Sequence, residues 1–113
     1  MRAAAYRLSG QGAFETVFRT GRRIDGRYLQ LVVAPASAGL GRTGYVIGRK
    51  VLARAVDRNR VRRKLREVFR ALRPAIAAYD VIVRVKRIAN RAEQDAAVAE
   101  GARLLAGVVQ HAS

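Results

Sequence analysis

Basic side chains are concentrated in one stretch of the chain, residues 49–73. This stretch holds eleven arginines and lysines and two acids, Asp57 and Glu67, so it carries +9 of the formal net charge of +15. Cations this close repel one another, and a phosphate backbone relieves that repulsion while releasing its own counterions. The stretch therefore predicts a polyanionic partner, with a merely solvated basic face as the alternative.

Side chains that could catalyse a reaction are scarce. The chain has no cysteine, which excludes disulfides, thiolate nucleophiles and cysteine-ligated metals. Its one histidine, His111, is two residues from the last, and we expect it in a disordered tail rather than as a general base. Asp57 and Glu67 are expected to be a helix cap and a salt-bridge partner. We therefore predict no catalytic residue and no metal ligand in this chain.

The composition predicts a small RNA- or DNA-binding domain rather than a membrane protein. Half of the residues are hydrophobic, enough for one core, so we take residues 1–113 as a single domain. No apolar run approaches the ~20 residues that span a bilayer. The N-terminal segment also has no apolar run long enough for a signal peptide, so we predict a cytoplasmic protein without membrane contact. Twenty of the 23 basic residues are arginine. Arginine grips phosphates bidentately and stacks on bases, although a genome-wide codon bias would give the same ratio.

Turn residues and apolar spacing predict the elements before the basic stretch. A first helix is expected from a cap at Ser9 to about Phe18, with Gly21 placed to end it. A short turn is expected at Asp25-Gly26, and a loop over 35–44. The predicted strands of the whole chain cover residues 28–33, 45–47 and 80–85.

The basic stretch itself is predicted to be a helix over residues 55–72, ending before Pro74. Its apolar stripe consists of Val61, Leu65, Val68 and Leu72, with Phe69 beside it. A last helix is expected to begin at Asn90, with Glu93 completing a capping box. The order of the elements predicts an α+β fold, with three helices on a small central sheet.

The order of residues within 48–70 is more specific than their charge. It contains a basic pair, Ala-Val, the triplet Arg58-Asn59-Arg60, a further basic pair, and Arg-Glu before an aromatic residue and arginine. Matching positions continue outward to Arg7-Leu8, Phe14, Val17-Phe18, Tyr28 and Asp80-Val81. This set resembles the signature of the bacterial ribonuclease P protein family. Arg49 stands where that family often has lysine, and Leu52 where it commonly has glycine.

The resemblance implies a fold and an activity. The fold is a two-layer α/β sandwich, like a domain of ribosomal proteins and of elongation factor G, in which the basic helix forms a left-handed β-α-β crossover. General topology would favour a right-handed one. The activity is removal of the 5′ leader from precursor tRNA by a catalytic RNA subunit that holds the Mg²⁺. The protein would be the non-catalytic subunit, with that RNA and precursor tRNA as partners and no small-molecule substrate.

The first expected RNA-binding surface lies on the basic helix and would contact the catalytic RNA. Arg58, Arg62, Arg66 and Arg70 recur every four residues and share one side of the helix, and Arg58, Asn59 and Arg60 are expected closest to that RNA. The whole predicted surface is Arg49, Lys50, Arg54, Arg58, Asn59, Arg60, Arg62, Arg63, Lys64, Arg66 and Arg70.

The second expected surface would hold the single-stranded leader. Such strands are held by basic grooves and aromatic stacking platforms. In the family the leader passes between the first helix and the sheet, which implies Phe14, Phe18 and Tyr28 as leader-binding residues here. The alternative is that Phe14 and Phe18, at helical spacing, belong to the core.

Two other functions fit part of the sequence. A ribosomal protein is equally small, basic and free of cysteine, but often carries long disordered basic tails, whereas the charge here is concentrated in one helix. A DNA-binding module could place the basic helix in a major groove. The apolar stripe on that helix indicates that one side is packed, and no dimerisation heptad accompanies it.

Overall fold

Helices and strands follow one another in the order α1-β1-β2-β3-α2-β4-α3. The protein is described from a computed structural model, over residues 7–8, 10–36 and 41–112. The elements are α1 Gln11–Thr20, β1 Arg22–Asp25, β2 Leu29–Pro35, β3 Thr43–Val46, α2 Ala55–Ile76, β4 Tyr79–Val85 and α3 Arg91–Ala112. No helix within these ranges is long and apolar enough to cross a membrane.

The four strands form one mixed sheet in the order β1-β2-β4-β3. Strand β2 is antiparallel to β1 and β4, while the edge strand β3 is parallel to β4. A parallel pair needs a long crossover connection, and α2, the basic helix, is that connection. The predicted α+β fold, with three helices on a small sheet, is confirmed. The left hand of the crossover stays a prediction.

Strand alternation divides the core between the two faces of the sheet. On one face Leu29, Leu31 and Val33 of β2 belong to the cluster that packs under α2 and α3. On the other, Val32 and Ala34 of β2 join the cluster under α1. The sheet and the α2–α3 pair are the two expected layers, and α1 covers part of the opposite face.

Strand β1 was not predicted from the sequence. It has a single apolar residue, Ile24, among exposed charged ones, so its alternation is too short to recognise. Pairing with β2 stabilises it, because Ile24 lies opposite Leu31 and packs against the main core. The connection of this hairpin is residues 26–28, where the Gly26 N–H donates to the Leu29 carbonyl (2.7 Å). The turn predicted at Asp25-Gly26 was placed one residue too early, because Asp25 still pairs with Gln30.

Helix α1 begins after Gly10, whose φ of 88° favours glycine; the predicted cap, Ser9, lies outside the described residues. Gly21 follows the last residue of α1, as predicted, and its N–H donates to the Val17 carbonyl (2.7 Å). At the other end of the chain, α3 begins with Glu93 donating its N–H to Asn90 (2.9 Å) and accepting one from Ala89 (2.7 Å). The predicted capping pair is thus confirmed, with Ala89 as the second donor.

The predicted end of α2 and the predicted disordered tail at His111 were wrong. Helix α2 continues through Pro74 to Ile76, although proline removes one helix hydrogen bond. The continuation buries Ile76 (4% exposed) in the core, and the Ala77 carbonyl beyond it accepts the Gly41 N–H (2.7 Å). Helix α3 runs to Ala112, so the backbone of His111 is helical rather than part of a disordered tail. In α2, tertiary packing thus outweighs a local end signal.

A buried carboxylate ties α3 to the β1–β2 hairpin. Glu100, in the middle of α3, accepts the backbone N–H groups of Arg27 (2.8 Å), Tyr28 (2.9 Å) and Leu29 (2.8 Å). Burial acts to raise the pKa of Glu100, but these three donors and Arg103 outweigh it and hold the pKa below its ordinary value. Gly26 leaves room for this carboxylate, since a Cβ there would collide with it.

We expect Glu100→Gln to lower the free energy of unfolding by about 1.5–3 kcal/mol, because an amide replaces a charged acceptor in front of buried N–H groups. The depressed pKa stabilises the wild type above the unfolded carboxyl value of about 4.3. That stabilisation is lost as the pH falls through the lower folded pKa, so the difference between the two proteins should shrink in acid. Urea unfolding at several pH values measures it.

The matched control is Glu15→Gln, on an exposed turn of α1, which should leave the free energy of unfolding within about 0.5 kcal/mol of the wild type. A Glu100→Gln protein as stable as the control at neutral pH would contradict the role of this carboxylate.

Candidate nucleic-acid interface

Helix α2 is packed on one side, which directs its charges to the others. Val61, Leu65 and Phe69, spaced by four residues, are at most 1% exposed and form the buried line. Val68 and Leu72, which were predicted to be in that line, are only partly buried against it. The remaining sides of the helix carry the basic residues, so the apolar line determines where the charges lie.

Four arginines of α2 form a row that faces the β3 edge of the sheet. Arg62, Arg66, Arg70 and Arg73 line one groove together with Arg7. The predicted stripe is confirmed for Arg62, Arg66 and Arg70, and Arg73 extends it by about one turn. We call Arg62, Arg66, Arg70 and Arg73 the arginine row. Arg66 and Arg70 are exposed, while Arg62 and Arg73 are half-buried.

Arg58, the remaining member of the predicted stripe, folds back on the chain instead. Its Nη1 donates to the carbonyl oxygens of Leu52 (2.7 Å) and Ala53 (2.9 Å). These bonds close the segment that enters α2, in which Arg49 and Lys50 are exposed. The half-buried Arg58 therefore shapes the loop that displays its neighbours.

Arg60 and Lys64 face α3. The Arg60 guanidinium donates to Gln94 Oε1 (2.9 Å) and lies 3.5 Å from Asp57 Oδ1. The Lys64 Nζ lies 3.0 Å from Asp95 Oδ1, and this hydrogen bond and charge lower the pKa of Asp95. Asp57 is thus a salt-bridge partner rather than the cap of α2. The capping position is Arg54, whose side chain makes no capping hydrogen bond. The structure brings Arg60 into the helix pair, not to the most outward position predicted for it.

The outward band of α2 and its entry segment is cationic. Asn59 is exposed there, and its Oδ1 accepts a hydrogen bond from Arg62 Nη1 (2.9 Å). Val56 is 52% exposed among these charges. The exposed cations of the predicted surface are Arg49, Lys50, Arg54, Arg63, Arg66 and Arg70. We call these six residues the outer cations.

The structure brings together two of the three predicted leader-binding residues. Phe14 and Phe18 are half-buried against the cluster under α1, and the Arg23 guanidinium lies 5.9 Å from the Phe18 ring centre. Tyr28 packs against the cluster under α2 and α3 instead, with Arg27 at 5.4 Å from its ring. Tyr28 therefore lies apart from the two phenylalanines.

Polar side chains beside Phe18 on this face were missed by the sequence analysis. Arg23 lies opposite Val32, and Gln30 opposite Arg84, so all share the sheet face that α1 covers only in part. The Arg84 guanidinium donates to Gln30 Oε1 (3.5 Å). The alternation of β4, with exposed Arg84 between buried valines, signalled this position; Arg23 had no signal because β1 was not predicted.

The side chains that usually bind metal ions do not cluster in the described part of the chain. Within the described ranges, no three residues of the types His, Cys, Asp and Glu lie close enough to share a metal ion. The absence of catalytic and metal-ligating residues stays a prediction.

Comparisons with known proteins agree on one family. The profile described as Ribonuclease P matches residues 3–108. The ribonuclease P protein component of Aromatoleum aromaticum is 40% identical over 81 residues, which is 72% of this chain and 68% of the relative. That of a Synechococcus strain is 44% identical over 66% of this chain and 59% of its own length. The chain thus spans about three fifths to two thirds of these curated relatives.

Solved structures of the family share the fold. The Staphylococcus aureus RNase P protein superposes with a TM-score of 0.75 at 24% identity, over 96% of this chain and 95% of that one. The Thermotoga maritima RNase P protein, solved with 1-(4-fluorophenyl)-2-thiourea, gives a TM-score of 0.64 at 27% identity, over 71% and 75%. With the basic helix in the β3–β4 crossover and a family match over most of its length, the chain belongs to the ribonuclease P protein family.

Proposed function

We propose that this chain is the protein subunit of a ribonuclease P, an endoribonuclease that removes the 5′ leader of precursor tRNA. It would bind the catalytic RNA subunit through α2 and the leader through the α1 face of the sheet. The observation that carries the proposal is the outward cationic band of α2, held in place by a buried apolar line within this family's fold. We assign the active site and its Mg²⁺ to the RNA, as the family resemblance implies.

The contribution of the protein to the reaction is electrostatic. The outer cations neutralise RNA phosphates and release counterions, which supplies affinity without any chemical step. Arg58, Arg60 and Lys64 are engaged within the protein and hold the surface in shape. Asn59 adds a carbonyl and an amide beside them. The band is thus a prearranged surface, so less conformational entropy is lost when RNA binds.

The leader would cross the half of the sheet that α1 leaves open. Phe14 and Phe18 offer ring faces, and Arg23 and Arg84 supply charge on the same face. Base stacking on aromatic rings is tolerant of sequence, which suits leaders of varied sequence. By holding leader and RNA subunit together, the protein would raise the affinity for precursor over mature tRNA.

Reconstitution tests this function directly. The protein alone should leave precursor tRNA intact, and together with its matching RNA subunit it should give mature 5′ ends at low Mg²⁺, where the RNA alone is slow. Gel analysis of 5′-labelled precursor measures both. Correctly placed cleavage by RNA-free protein would contradict the assignment of the active site to RNA. Lack of stimulation together with tight binding to ribosomal RNA would favour the structural ribosomal alternative.

Arg63 and Arg60 should separate binding from stability. Arg63→Ala removes an outer cation, so RNA-subunit affinity should fall and the slope of log K against log salt should become shallower by about 1. Arg60→Ala removes the bond to the buried Gln94, so the free energy of unfolding should fall by about 1–2 kcal/mol. Filter binding at several salt concentrations and urea unfolding measure the two effects. Equal losses of stability in both variants would contradict this division of α2.

Phe18→Ala should weaken binding of leader-bearing precursor tRNA to the holoenzyme by about 1–3 kcal/mol, the usual value of one stacked base. Mature tRNA should bind as before. Phe18→Leu controls for packing, because leucine keeps the apolar contact with the cluster under α1 but offers no ring. Equal losses with both substrates would place Phe18 in the core only.

Tyr28 is the comparison within the predicted leader set. Because its ring packs against the cluster under α2 and α3, Tyr28→Ala should lower the Tm. A leader-specific loss of affinity in the folded variant would keep Tyr28 among the leader-binding residues, and equal affinity for both substrates would remove it.

A further inference from the structure

A group of arginines at the β1 edge of the sheet belongs to neither surface described above. Arg22, Arg27 and Arg103 are all exposed, and we call them the β1-edge arginines. In the strand order β1-β2-β4-β3, β1 lies at the opposite edge from β3. Neighbouring strands are about 4.8 Å apart, so about 14 Å of sheet separates this edge from the one that the arginine row faces.

Strand alternation directs Arg22 to the α3 side of β1. Ile24 lies opposite Leu31 and packs into the cluster under α2 and α3. Arg22 comes two residues earlier and lies opposite Val33 of the same cluster. Because side chains two residues apart in a strand share a face, burial of Ile24 fixes Arg22 on the side that α3 covers.

Glu100 brings the other two β1-edge arginines together. Its Oε2 accepts the backbone N–H of Arg27 (2.8 Å), and Arg103, about one turn further along α3, lies close enough for its charge to act on the same carboxylate. Both carboxylate oxygens are occupied by backbone N–H groups of the hairpin. Glu100 therefore holds the backbone in place and leaves both guanidinium groups exposed.

The other acids near this edge are also used elsewhere. Asp25 faces the α1 side, where its Oδ1 accepts hydrogen bonds from Gln30 Nε2 (3.0 Å) and Lys86 Nζ (3.4 Å). Glu93 belongs to the capping pair of α3, and Asp95 binds α2. Across the described part of the chain, no carboxylate oxygen lies within 4.0 Å of a β1-edge guanidinium.

Protection of the sheet edge explains only part of this charge. Charged side chains on an edge strand prevent sheets from pairing edge to edge, and Arg22 with its neighbour Arg23 fits that purpose. Arg27 lies in the hairpin connection and Arg103 on α3, both outside the strand. Their exposure beside the same edge therefore points to an anionic partner.

The surface offers charge without a free aromatic ring. Tyr28 is half-buried, and the Arg27 guanidinium lies over its ring at 5.4 Å, so this ring face is covered. Single-stranded RNA is held by stacking of its bases on exposed rings, whereas an RNA duplex is recognised through its phosphates and 2′-hydroxyls. Guanidinium groups match phosphate oxygens, so the β1-edge arginines fit a duplex better than a single strand.

We propose that the β1-edge arginines bind the phosphate backbone of an RNA duplex while α2 holds a different RNA segment, so that the protein bridges the two. A strand rises about 3.4 Å per residue, which places Arg22 about 10 Å from the hairpin end of β1 and lets the surface contact more than one phosphate. The choice of RNA rests on the proposed function. The duplex belongs either to the RNA subunit or to the body of the tRNA.

The number of duplexes bound per protein tests the bridge without the holoenzyme. Blunt 12-base-pair RNA duplexes carrying either a donor or an acceptor dye should show energy transfer when the wild-type protein is added, and sedimentation should give two duplexes per protein. The triple variant Arg22→Gln/Arg27→Gln/Arg103→Gln should bind one duplex and show no transfer. Two duplexes bound to this variant would overturn the proposal.

A single substitution on α3 separates RNA binding from protection of the sheet edge, because it leaves β1 unchanged. Arg103→Gln should weaken binding of the second duplex about three- to tenfold and make its salt slope shallower by about 1, while Arg103→Lys should restore most of the affinity. The matched control is Arg91→Gln, an exposed arginine of the same helix, which should stay within twofold. Equal effects of Arg103→Gln and Arg91→Gln would contradict the assigned surface.

NMR connects the second duplex to the β1 edge. The amide signals of Ile24 and Gly26 should shift only after the first equivalent of duplex has bound. Unshifted signals at two equivalents would overturn the proposal. Equally tight binding of an unpaired 12-nucleotide strand at this edge would overturn the choice of a duplex.

The holoenzyme then identifies the source of the duplex. Weaker binding of Arg103→Gln to the RNA subunit supports a helix of that RNA, and an equal loss of affinity for leader-bearing and mature tRNA supports the tRNA body. Wild-type affinity for all three RNAs would overturn this inference alone and leave the proposed function intact. Bridging of duplexes by a protein that does not stimulate cleavage would support the inference while contradicting the proposed function.

Discussion

Burial of one side of α2 against the sheet determines the direction in which its basic side chains face. Leu65 and Phe69 are almost fully buried, and each such side chain contributes about 1.5–3 kcal/mol. Repulsion between like charges one helical turn apart costs only a few tenths of a kcal/mol per pair. The apolar line therefore outweighs the repulsion between the eight basic residues of the helix. It also fixes the rotation of α2, so the arginine row faces the β3 edge.

Contacts with α3 determine which basic side chains of α2 are held within the protein. Through Gln94 and Asp95 it holds Arg60 and Lys64 of α2, and through Glu100 it holds the β1–β2 hairpin. Two of its acids are thus used inside the protein instead of neutralising the outward cations. Those cations remain available for phosphates, where each contact adds to the salt dependence of binding.

The α1 face of the sheet and the arginine row meet at the edge strand β3. The half-open α1 face carries Phe18 and Arg23, while the arginine row lies beyond the edge. Phe14 borders both, because Gly44 lets its ring rest on β3. The α1 face and the arginine row are therefore continuous across β3. This continuity comes from the parallel placement of β3 beside β4.

Composition and local spacing were enough to predict the concentration of charge, the basic helix with an apolar side, the capping pair of α3 and the family. The end of α2, the existence of β1 and the choice of outward-facing cations depend instead on packing between distant parts of the chain. Arg60 and Arg63 are near neighbours of equal charge, yet α3 packs beside only one of them. No local pattern encodes that difference, because Gln94 comes 34 residues after Arg60 and reaches it only when the helices pack together.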